Sequence, residues 1–391
     1  MTEFFTRRDL IRAFLMGGVA LLCAAPMSAR PKGKTVRVYF GTYTNTPAAS
    51  KGIYLYDLDL TTGILTDTGL TAMTPNPSFL AIAPNRKHLY AVNEIEDYGG
   101  KMSGSVTGFS INSKTGGLTL LNTQASMGTA PCHIRIDAEG RNALVANYSS
   151  GSDAVLPIEA DGKLAPHSSV MQHTGSSADK SRQEGPHAHS IYTDASGKFA
   201  LSCDLGTDKI YVYRYDAKQG KLIPNDFAAA TVPPGSGPRH LALSTSRRFI
   251  YAVSEMLSTV TAFEWNEKTG ELNTIQSVST LPADFQGHST TAEIALSPNG
   301  KFLYASNRGH DSLAIFSVNP QTGLLHSAGW QSTLGKTPRS FAIDATGNFL
   351  IAANQATDSV ATFRIAPDTG LLTPLGALVS IPAPVCVLFA P

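Results

Sequence analysis

Short segments in which apolar and polar residues alternate recur seven times along the chain, and each ends in a turn that contains glycine. Period-two alternation on both sides of a glycine turn is typical of a β-hairpin. The segments begin at Gly52, Ser105, Asp153, Lys209, Thr259, Ser312 and Ser359. The turn glycines are Gly63, Gly116, Gly162, Gly220, Gly270, Gly323 and Gly370. A repeat of about 50 residues with four strands per unit predicts the blades of a β-propeller.

Each repeat also has a first half, in which two apolar strands flank a polar turn. These halves begin at Pro77, Pro131, Ala188, Pro238, Thr291, Pro338 and Pro384. The last repeat stops after one strand, PVCVLFAP, while VRVYFGTY from Val36 supplies a strand that lacks a partner. The sequence therefore predicts an all-β fold over residues 36–391. We expect a seven-bladed β-propeller closed by pairing of the N- and C-terminal strands, which leaves no open sheet edge.

The first residues do not follow the repeat. Arg7 and Arg8 precede an apolar run from Ala13 to Ala25, and small residues surround Ala29. This pattern predicts a twin-arginine signal peptide over residues 1–29 and a linker over 30–35. The apolar run is short for a membrane-spanning helix. We expect a periplasmic or otherwise exported protein with no membrane contact after cleavage, although an uncleaved anchor or a lipoprotein signal ending at Cys23 remains an alternative.

Composition narrows the choice of partners. The formal net charge is +1 and no basic stripe is present, so we expect no nucleic-acid partner. Nothing in the sequence indicates an oligomer, and we expect a monomer that binds a small molecule. Three cysteines follow the predicted signal, Cys132, Cys203 and Cys386. An odd number in different blades argues against a disulfide framework, and we expect buried free thiols.

Polar residues are concentrated where the first strand of each blade begins and the second strand ends, two positions that meet at one face of the central channel. Such a cluster suggests a bound anion or a reacting group. The four strongest catalytic candidates are His189, Arg239, Glu255 and Arg308. The predicted substrate-binding residues are His133, His187, His240, Glu293, Arg339 and Glu94. Arg339 could instead pair with Glu94 or Glu293, and His133 and His240 could be hydrogen-bonded packing residues.

The segment HAH places His187 and His189 on the same side of a strand, a spacing that suits zinc or calcium. The aligned positions of neighbouring blades supply arginines instead of further ligands. We therefore expect no metal and no cofactor, and a metal site remains the alternative.

Many segments occur in the order found in one known family. They include GTYT, NPSFLAI, YAVNE, PCHIRID, VANYSSGS, GPHAHS, GPRHLALS, SNRGH and PRSFAID. The chain from Val36 onward resembles the propeller lactonases, a family that includes the propeller type of 6-phosphogluconolactonase and carboxy-muconate cyclase. Ser254, where the family usually has asparagine, and the export signal depart from the family pattern. Because phosphogluconolactone is made in the cytoplasm, the signal leaves open whether the substrate is phosphorylated.

The resemblance implies a lactonase whose catalytic histidine, two arginines and glutamate fall on His189 (or His187), Arg239, Arg308 and Glu255. We expect hydrolysis of a sugar-type lactone, 6-phosphogluconolactonase-like or gluconolactonase-like, at the channel rim. The arginines would stabilise the carbonyl oxygen or clamp an anionic group, and Glu255 or His189 would activate water. The alternatives are a muconate-type lactone cycloisomerase and a non-catalytic exported propeller that binds a ligand.

Overall fold

The computed structural model describes residues 34–47 and 50–390, and the predicted signal peptide lies outside them. The described residues form seven four-stranded antiparallel sheets and one short 3-10 turn, Gln355–Thr357. The predicted seven-bladed β-propeller is confirmed. Within the described residues, no helix is long and apolar enough to cross a membrane.

Six of the blades are continuous in sequence, with the strands in order from the channel outward. Blade 1 consists of β4 (Phe79–Ile82), β5 (His88–Asn93), β6 (Ser105–Ile111) and β7 (Leu118–Ala125). Blade 2 consists of β8 (Pro131–Ile136), β9 (Asn142–Asn147), β10 (Ser152–Pro157) and β11 (Ser169–Gln172). Blade 3 consists of β12 (Ala188–Thr193), β13 (Phe199–Asp204), β14 (Lys209–Asp216) and β15 (Lys221–Thr231).

The next three blades repeat this order. Blade 4 consists of β16 (Pro238–Leu243), β17 (Phe249–Ser254), β18 (Thr259–Asn266) and β19 (Glu271–Ser279). Blade 5 consists of β20 (Thr290–Leu296), β21 (Phe302–Arg308), β22 (Ser312–Val318) and β23 (Leu325–Ser332). Blade 6 consists of β24 (Pro338–Ile343), β25 (Phe349–Asn354), β26 (Ser359–Ile365) and β27 (Leu372–Ser380).

Blade 7 joins the two ends of the propeller. Its strands are β28 (Pro384–Ala390), β1 (Thr35–Thr42), β2 (Gly52–Asp59) and β3 (Leu65–Met73). The innermost strand β28 pairs with β1 in the antiparallel sense, with Val387 opposite Phe40. The predicted closure by the N- and C-terminal strands is therefore confirmed.

The seven turn glycines all have positive φ, between 61° and 87°, a conformation that side chains disfavour. In four places the turn also joins two blades. The hydroxyls of Tyr39, Tyr90, Tyr251 and Tyr304 donate to the carbonyls of Gly116, Gly162, Gly323 and Gly370. Hydrophobic side chains pack between adjacent blades around these contacts. These four glycines thus close their own hairpins and also bind the neighbouring blade through a tyrosine hydroxyl.

Blade 2 differs from the predicted pattern at its outer edge. The predicted hairpin around Gly162 is reduced to a single bridge between Ile158 and Leu164, and the outer strand β11 starts only at Ser169. Pro157 and Pro166 flank this region and cannot donate the backbone hydrogen bonds of a continuous ladder.

A β-bulge at the start of the inner strand occurs in six blades. In β16, for example, Pro238 pairs with Ser254 and His240 with Val253, which leaves Arg239 as an extra residue. The residues at the bulges are Cys132, His189, Arg239, Ala292 with Glu293, Arg339 and Val385. A bulge changes the direction of a side chain, so consecutive residues can both face the channel.

Candidate active site

A cavity of about 420 Å³ opens at the face of the propeller where the inner strands begin. Its walls come from the bulges of β8, β12 and β24, the ends of β5, β9, β17 and β21, and three loops. The residues that line it are Tyr43, Glu94, Cys132, Tyr148, Arg182, His189, Glu255, His288, Thr290, Arg308 and Arg339. The predicted rim is therefore a real concave surface.

Glu255 is the centre of an arginine cluster. Its Oε1 accepts a hydrogen bond from Arg182 Nη2 at 2.8 Å, and its Oε2 accepts from Arg239 Nε and Arg308 Nη2, each at 3.0 Å. Burial alone would raise the pKa of Glu255, but Arg308, Arg239 and Arg182 lower it to about 2. The side chain is a permanent carboxylate that holds three guanidinium groups in position.

Arg308 keeps donors that the protein does not use. Its Nη2 donates to Thr291 O at 2.8 Å as well as to Glu255, while its buried Nε has no partner within the part of the chain that the structure describes. Burial lowers the pKa of Arg308 to about 10, against the attraction of Glu255. A buried N–H group without a partner costs free energy unless a ligand accepts its hydrogen bond.

Arg339 is the least constrained cation in the cavity. The guanidinium carbon lies 5.3 Å from the centre of the Tyr43 ring, and no hydrogen bond or ion pair to Arg339 is present among the described residues. The Tyr43 hydroxyl donates to both carboxylate oxygens of Glu94, at 2.9 and 3.0 Å. The structure therefore does not show the alternative ion pair of Arg339 with Glu94 or Glu293.

His189 faces the cavity from the bulge of β12 and is 4% exposed. Its Nδ1 lies 3.7 Å from the thiol of Cys132, and its ring meets that of Tyr148 edge to face at 5.5 Å. Burial, together with the positive charge of Arg239, lowers the pKa of His189 well below its usual range. The imidazole is therefore neutral at pH 7, the protonation state that a general base requires.

A second layer of polar residues lies beneath the cavity. His240 Nδ1 donates to Glu293 Oε1 at 2.8 Å, and His240 Nε2 lies 3.3 Å from Arg239 Nη1. Burial raises the pKa of Glu293 to about 7 and lowers that of His240. His133 packs against Phe79, Tyr192 and His240, as the packing alternative expected.

The structure thus divides the predicted residues into two groups. His189, Glu255, Arg308, Glu94 and Arg339 line the cavity. Arg239 lies directly behind Glu255 and is 2% exposed. Direct contact of substrate with the other four is not supported, because His133, His240 and Glu293 lie in the layer below and His187 is occupied elsewhere. The His187 ring stacks on Tyr148 at 4.6 Å, and its Nε2 contacts Glu184 Oε1 at 3.2 Å.

Sequence analysis did not select Arg182, Tyr43, Tyr148 or His288. Tyr43 and Tyr148 directly follow β1 and β9, the second strands of their blades, and this repeat position could have identified both. Arg182 and His288 lie on loops outside the repeat, where no periodic signal marks a residue. Arg182 belongs to a segment of the loop between β11 and β12 that covers the rim.

Among the described residues, no further metal ligands accompany the two histidines of the HAH segment. His187 Nδ1 contacts Tyr148 O at 3.1 Å, and the thiol of Cys132 lies 3.7 Å from His189 Nδ1. Over residues 34–47 and 50–390, no three side chains of histidine, cysteine, aspartate or glutamate are arranged to hold a metal ion. All three cysteines in these residues are buried free thiols, as predicted.

The opposite end of the channel has a cavity of about 490 Å³, but its chemistry is different. It is lined by the ends of β8, β12, β16 and β20, mainly by alanine, leucine and isoleucine. Arg135 and Asp194 are its only charged residues, and Arg135 lies over the Tyr192 ring at 5.1 Å. In contrast to the cavity at the first face, its described lining has one arginine, one carboxylate and no histidine.

Residues 37–389 match the family model described as lactonase, seven-bladed β-propeller. A 6-phosphogluconolactonase of Bacillus subtilis is 38% identical over 351 residues, which cover 90% of this chain and 97% of the relative. A 6-phosphogluconolactonase of Formosa agariphila is 33% identical over 78% of this chain and 85% of its own length. The solved structure of a periplasmic gluconolactonase from Pseudomonas aeruginosa is 34% identical, covers 91% and 99% of the two chains, and superposes with a TM-score of 0.85.

Proposed function

Because the chain belongs to the lactonase family of seven-bladed β-propellers, we propose that it hydrolyses a sugar-type lactone in the cavity at the channel mouth. The predicted resemblance to propeller 6-phosphogluconolactonases is confirmed by the relatives. The observation that carries the proposed site is the combination of unused arginine donors and a neutral imidazole in one cavity. Four guanidinium groups and two carboxylates lie in or directly behind it, an excess of two positive charges.

Arg308 and Arg339 are the donors for the carbonyl oxygen of the lactone. Attack by water places negative charge on this oxygen, and guanidinium groups with free N–H donors stabilise that charge. Among the described residues, Arg339 has no hydrogen-bond or ion-pair partner to give up, and Arg308 has a buried Nε without one. This differs from the expected pair of Arg239 and Arg308, because the donors of Arg239 are directed at Glu255, Ala292 O and His240.

His189 is the proton acceptor. A neutral imidazole takes a proton from the attacking water while the new C–O bond forms at the carbonyl carbon. Collapse of the tetrahedral intermediate breaks the bond to the ring oxygen, which takes the proton from the imidazolium. The products are the open hydroxy acid and a neutral His189.

Glu255 acts through the arginines and not as the base. Both oxygens of Glu255 already accept hydrogen bonds from arginines, three in all, so the carboxylate has little capacity left to take a proton from water. It fixes the position of Arg308 relative to His189, with Arg239 behind it. Glu255 and Arg239 are positioning residues on this account.

If the predicted signal peptide exports the protein, the enzyme encounters its substrate outside the cytoplasm. That location favours a non-phosphorylated lactone. The relative from Pseudomonas aeruginosa, which is named a periplasmic gluconolactonase, supports this choice. Fractionation of cells that produce the full chain, followed by mass determination of the exported form, tests the export and the cleavage after residue 29.

The function is tested with purified residues 30–391, glucono-1,5-lactone, its 6-phosphate and a muconolactone in ¹⁸O-labelled water. We expect the fastest acid release from the unphosphorylated sugar lactone, with one ¹⁸O in the new carboxylate. Turnover of the muconolactone without label would favour the cycloisomerase. Saturable binding with no turnover above the spontaneous rate would favour the ligand-binding propeller.

A further inference from the structure

We propose that a second chamber beside the active-site cavity binds a second sugar residue, so that the preferred substrate is the lactone of an oligosaccharide acid. This inference rests on the proposed lactonase function and specifies its substrate class.

The two chambers are adjacent and have part of their lining in common. The second has a volume of about 520 Å³ and shares Arg182, His288 and Thr290 with the catalytic cavity. Met256, which lines it, directly follows Glu255 in the chain. A ligand that places its lactone carbonyl at Arg308 therefore has room to extend past Arg182. A single sugar ring in the catalytic cavity would leave this second space empty.

The wall between the chambers is held by buried hydrogen bonds. Gln183 is fully buried, and its Nε2 donates to Leu205 O at 2.8 Å. Ser177 Oγ donates to Asp208 Oδ2 at 2.5 Å, and the same carboxylate accepts from the backbone N–H groups of Gly235 and Gly237. These contacts tie Arg182 and the loop segment that precedes it to blades 3 and 4. The second chamber is therefore a preformed feature of the propeller face.

The lining of the second chamber suits a neutral sugar ring. Leu257 is 50% exposed and, with Met256, offers an apolar surface for the C–H face of a pyranose. Asp179, Ser181 and His288 supply hydrogen-bonding groups for hydroxyls. The carboxylate of Asp179, whose pKa is lowered by hydrogen bonds from Ser181, and the guanidinium of Arg182 both line this chamber, so its lining has no excess positive charge for a phosphate. These properties favour an uncharged second sugar over an anionic substituent.

The test compares kcat/KM for cellobiono-1,5-lactone and glucono-1,5-lactone, with spontaneous hydrolysis subtracted. We expect the wild type to prefer the disaccharide lactone by about tenfold. Leu257→Asp, which removes the apolar surface, is expected to bring this ratio close to one. Leu371→Asp is the matched control, because Leu371 is 46% exposed and lines neither chamber. It should leave both the ratio and the melting temperature unchanged.

Equal kcat/KM values for the two lactones in the wild type, or a preference that Leu257→Asp does not reduce, would overturn the second sugar site while leaving the lactonase function intact. If neither lactone is hydrolysed, the lactonase function fails. Calorimetry then tests the site separately with the product, cellobionic acid. Binding that is about tenfold tighter than that of gluconic acid and is lost in Leu257→Asp supports the site. Equal binding of the two acids refutes it.

Discussion

Glu255 illustrates how a single buried residue determines the chemistry of the site. A carboxylate with 6% of its side chain exposed is stable there only because three arginines compensate its charge. The same contacts hold Arg308 beside the space for the lactone carbonyl. The sequence showed that a glutamate and arginines meet at the rim, but it did not show which side chains were already paired.

Glu255→Gln tests the positioning role. Loss of the charge leaves Arg239 and Arg308 without compensation, so we expect a lower melting temperature and kcat/KM reduced at least tenfold. The shape of the pH profile should not change, because His189 remains the base. Glu264→Gln, which removes an exposed partner of Arg248, is the control and should alter neither quantity. Loss of the acidic limb of the profile in Glu255→Gln would instead identify Glu255 as the base.

His173 gives the fold a pH dependence that is independent of catalysis. Its Nδ1 lies 2.6 Å from Asp204 and its Nε2 lies 3.0 Å from Asp153, all three buried. Burial disfavours the charged imidazole, but the two carboxylates outweigh it and raise the pKa of His173 to about 9. The folded protein therefore keeps a proton that the unfolded chain loses above pH 6.5.

The stabilisation from His173 is complete below pH 6.5 and is lost as the pH rises to about 9. At about 1.4 kcal/mol per pKa unit, the loss is on the order of 3 kcal/mol. Urea unfolding at pH 6 and pH 9 measures it. His173→Gln should remove most of this difference, while exposed His326→Gln should retain it. A wild-type stability that is equal at the two pH values would contradict the ion cluster.

At the scale of elements, the bulges explain why the rim could be predicted and where the prediction stopped. Strand periodicity located the start of each inner strand, and hence His189, Arg239 and Arg339. It did not show that these residues are extra residues in the ladder, which allows Arg239 and His240 both to face the channel. The position of Arg182 could not be predicted, because its loop follows neither a helical nor a strand period.

Gly206 lies in the turn between β13 and β14 of blade 3, against the loop that carries Arg182. A Cβ at Gly206 would lie 1.9 Å from the carbonyl oxygen of Gly185 and 2.9 Å from the His187 ring. Gly206→Ala must therefore displace the loop, and we expect kcat/KM to fall about tenfold. Gly185→Ala is the control, because its Cβ would meet no atom within 4 Å. Equal kinetics in the two variants would show that the loop does not position the site.

At the scale of the whole molecule, closure of the ring was fully predictable. An incomplete last repeat and an unmatched first strand have one arrangement that leaves no free sheet edge. Blade 7 has this arrangement, with β28 between the channel and β1. Because the rim takes residues from all seven blades, including Tyr43 directly after β1, the geometry of the active site depends on this closure.

Deletion of residues 384–391 is expected to unfold the propeller. It removes the buried side chains of Val385, Cys386 and Val387 and the ladder with β1. Each buried aliphatic side chain contributes about 1.5–3 kcal/mol, and domain stability is typically about 5–15 kcal/mol. Circular dichroism and gel filtration measure the loss. Deletion of residues 1–29 should leave the fold and activity unchanged. A folded, active protein without residues 384–391 would contradict closure through β28.

The central claim is that the arginine-lined cavity opens a lactone, and Arg339→Met tests it most directly. Arg339 has no hydrogen-bond or ion-pair partner among residues 34–47 and 50–390, so its removal should not lower the melting temperature. Acid release from glucono-1,5-lactone is measured in a pH-stat for the wild type, Arg339→Met, His189→Gln and Glu94→Gln. We expect kcat/KM to fall about 10²-fold or more in the first two variants and less in Glu94→Gln. Wild-type activity in both Arg339→Met and His189→Gln would contradict the proposed active site.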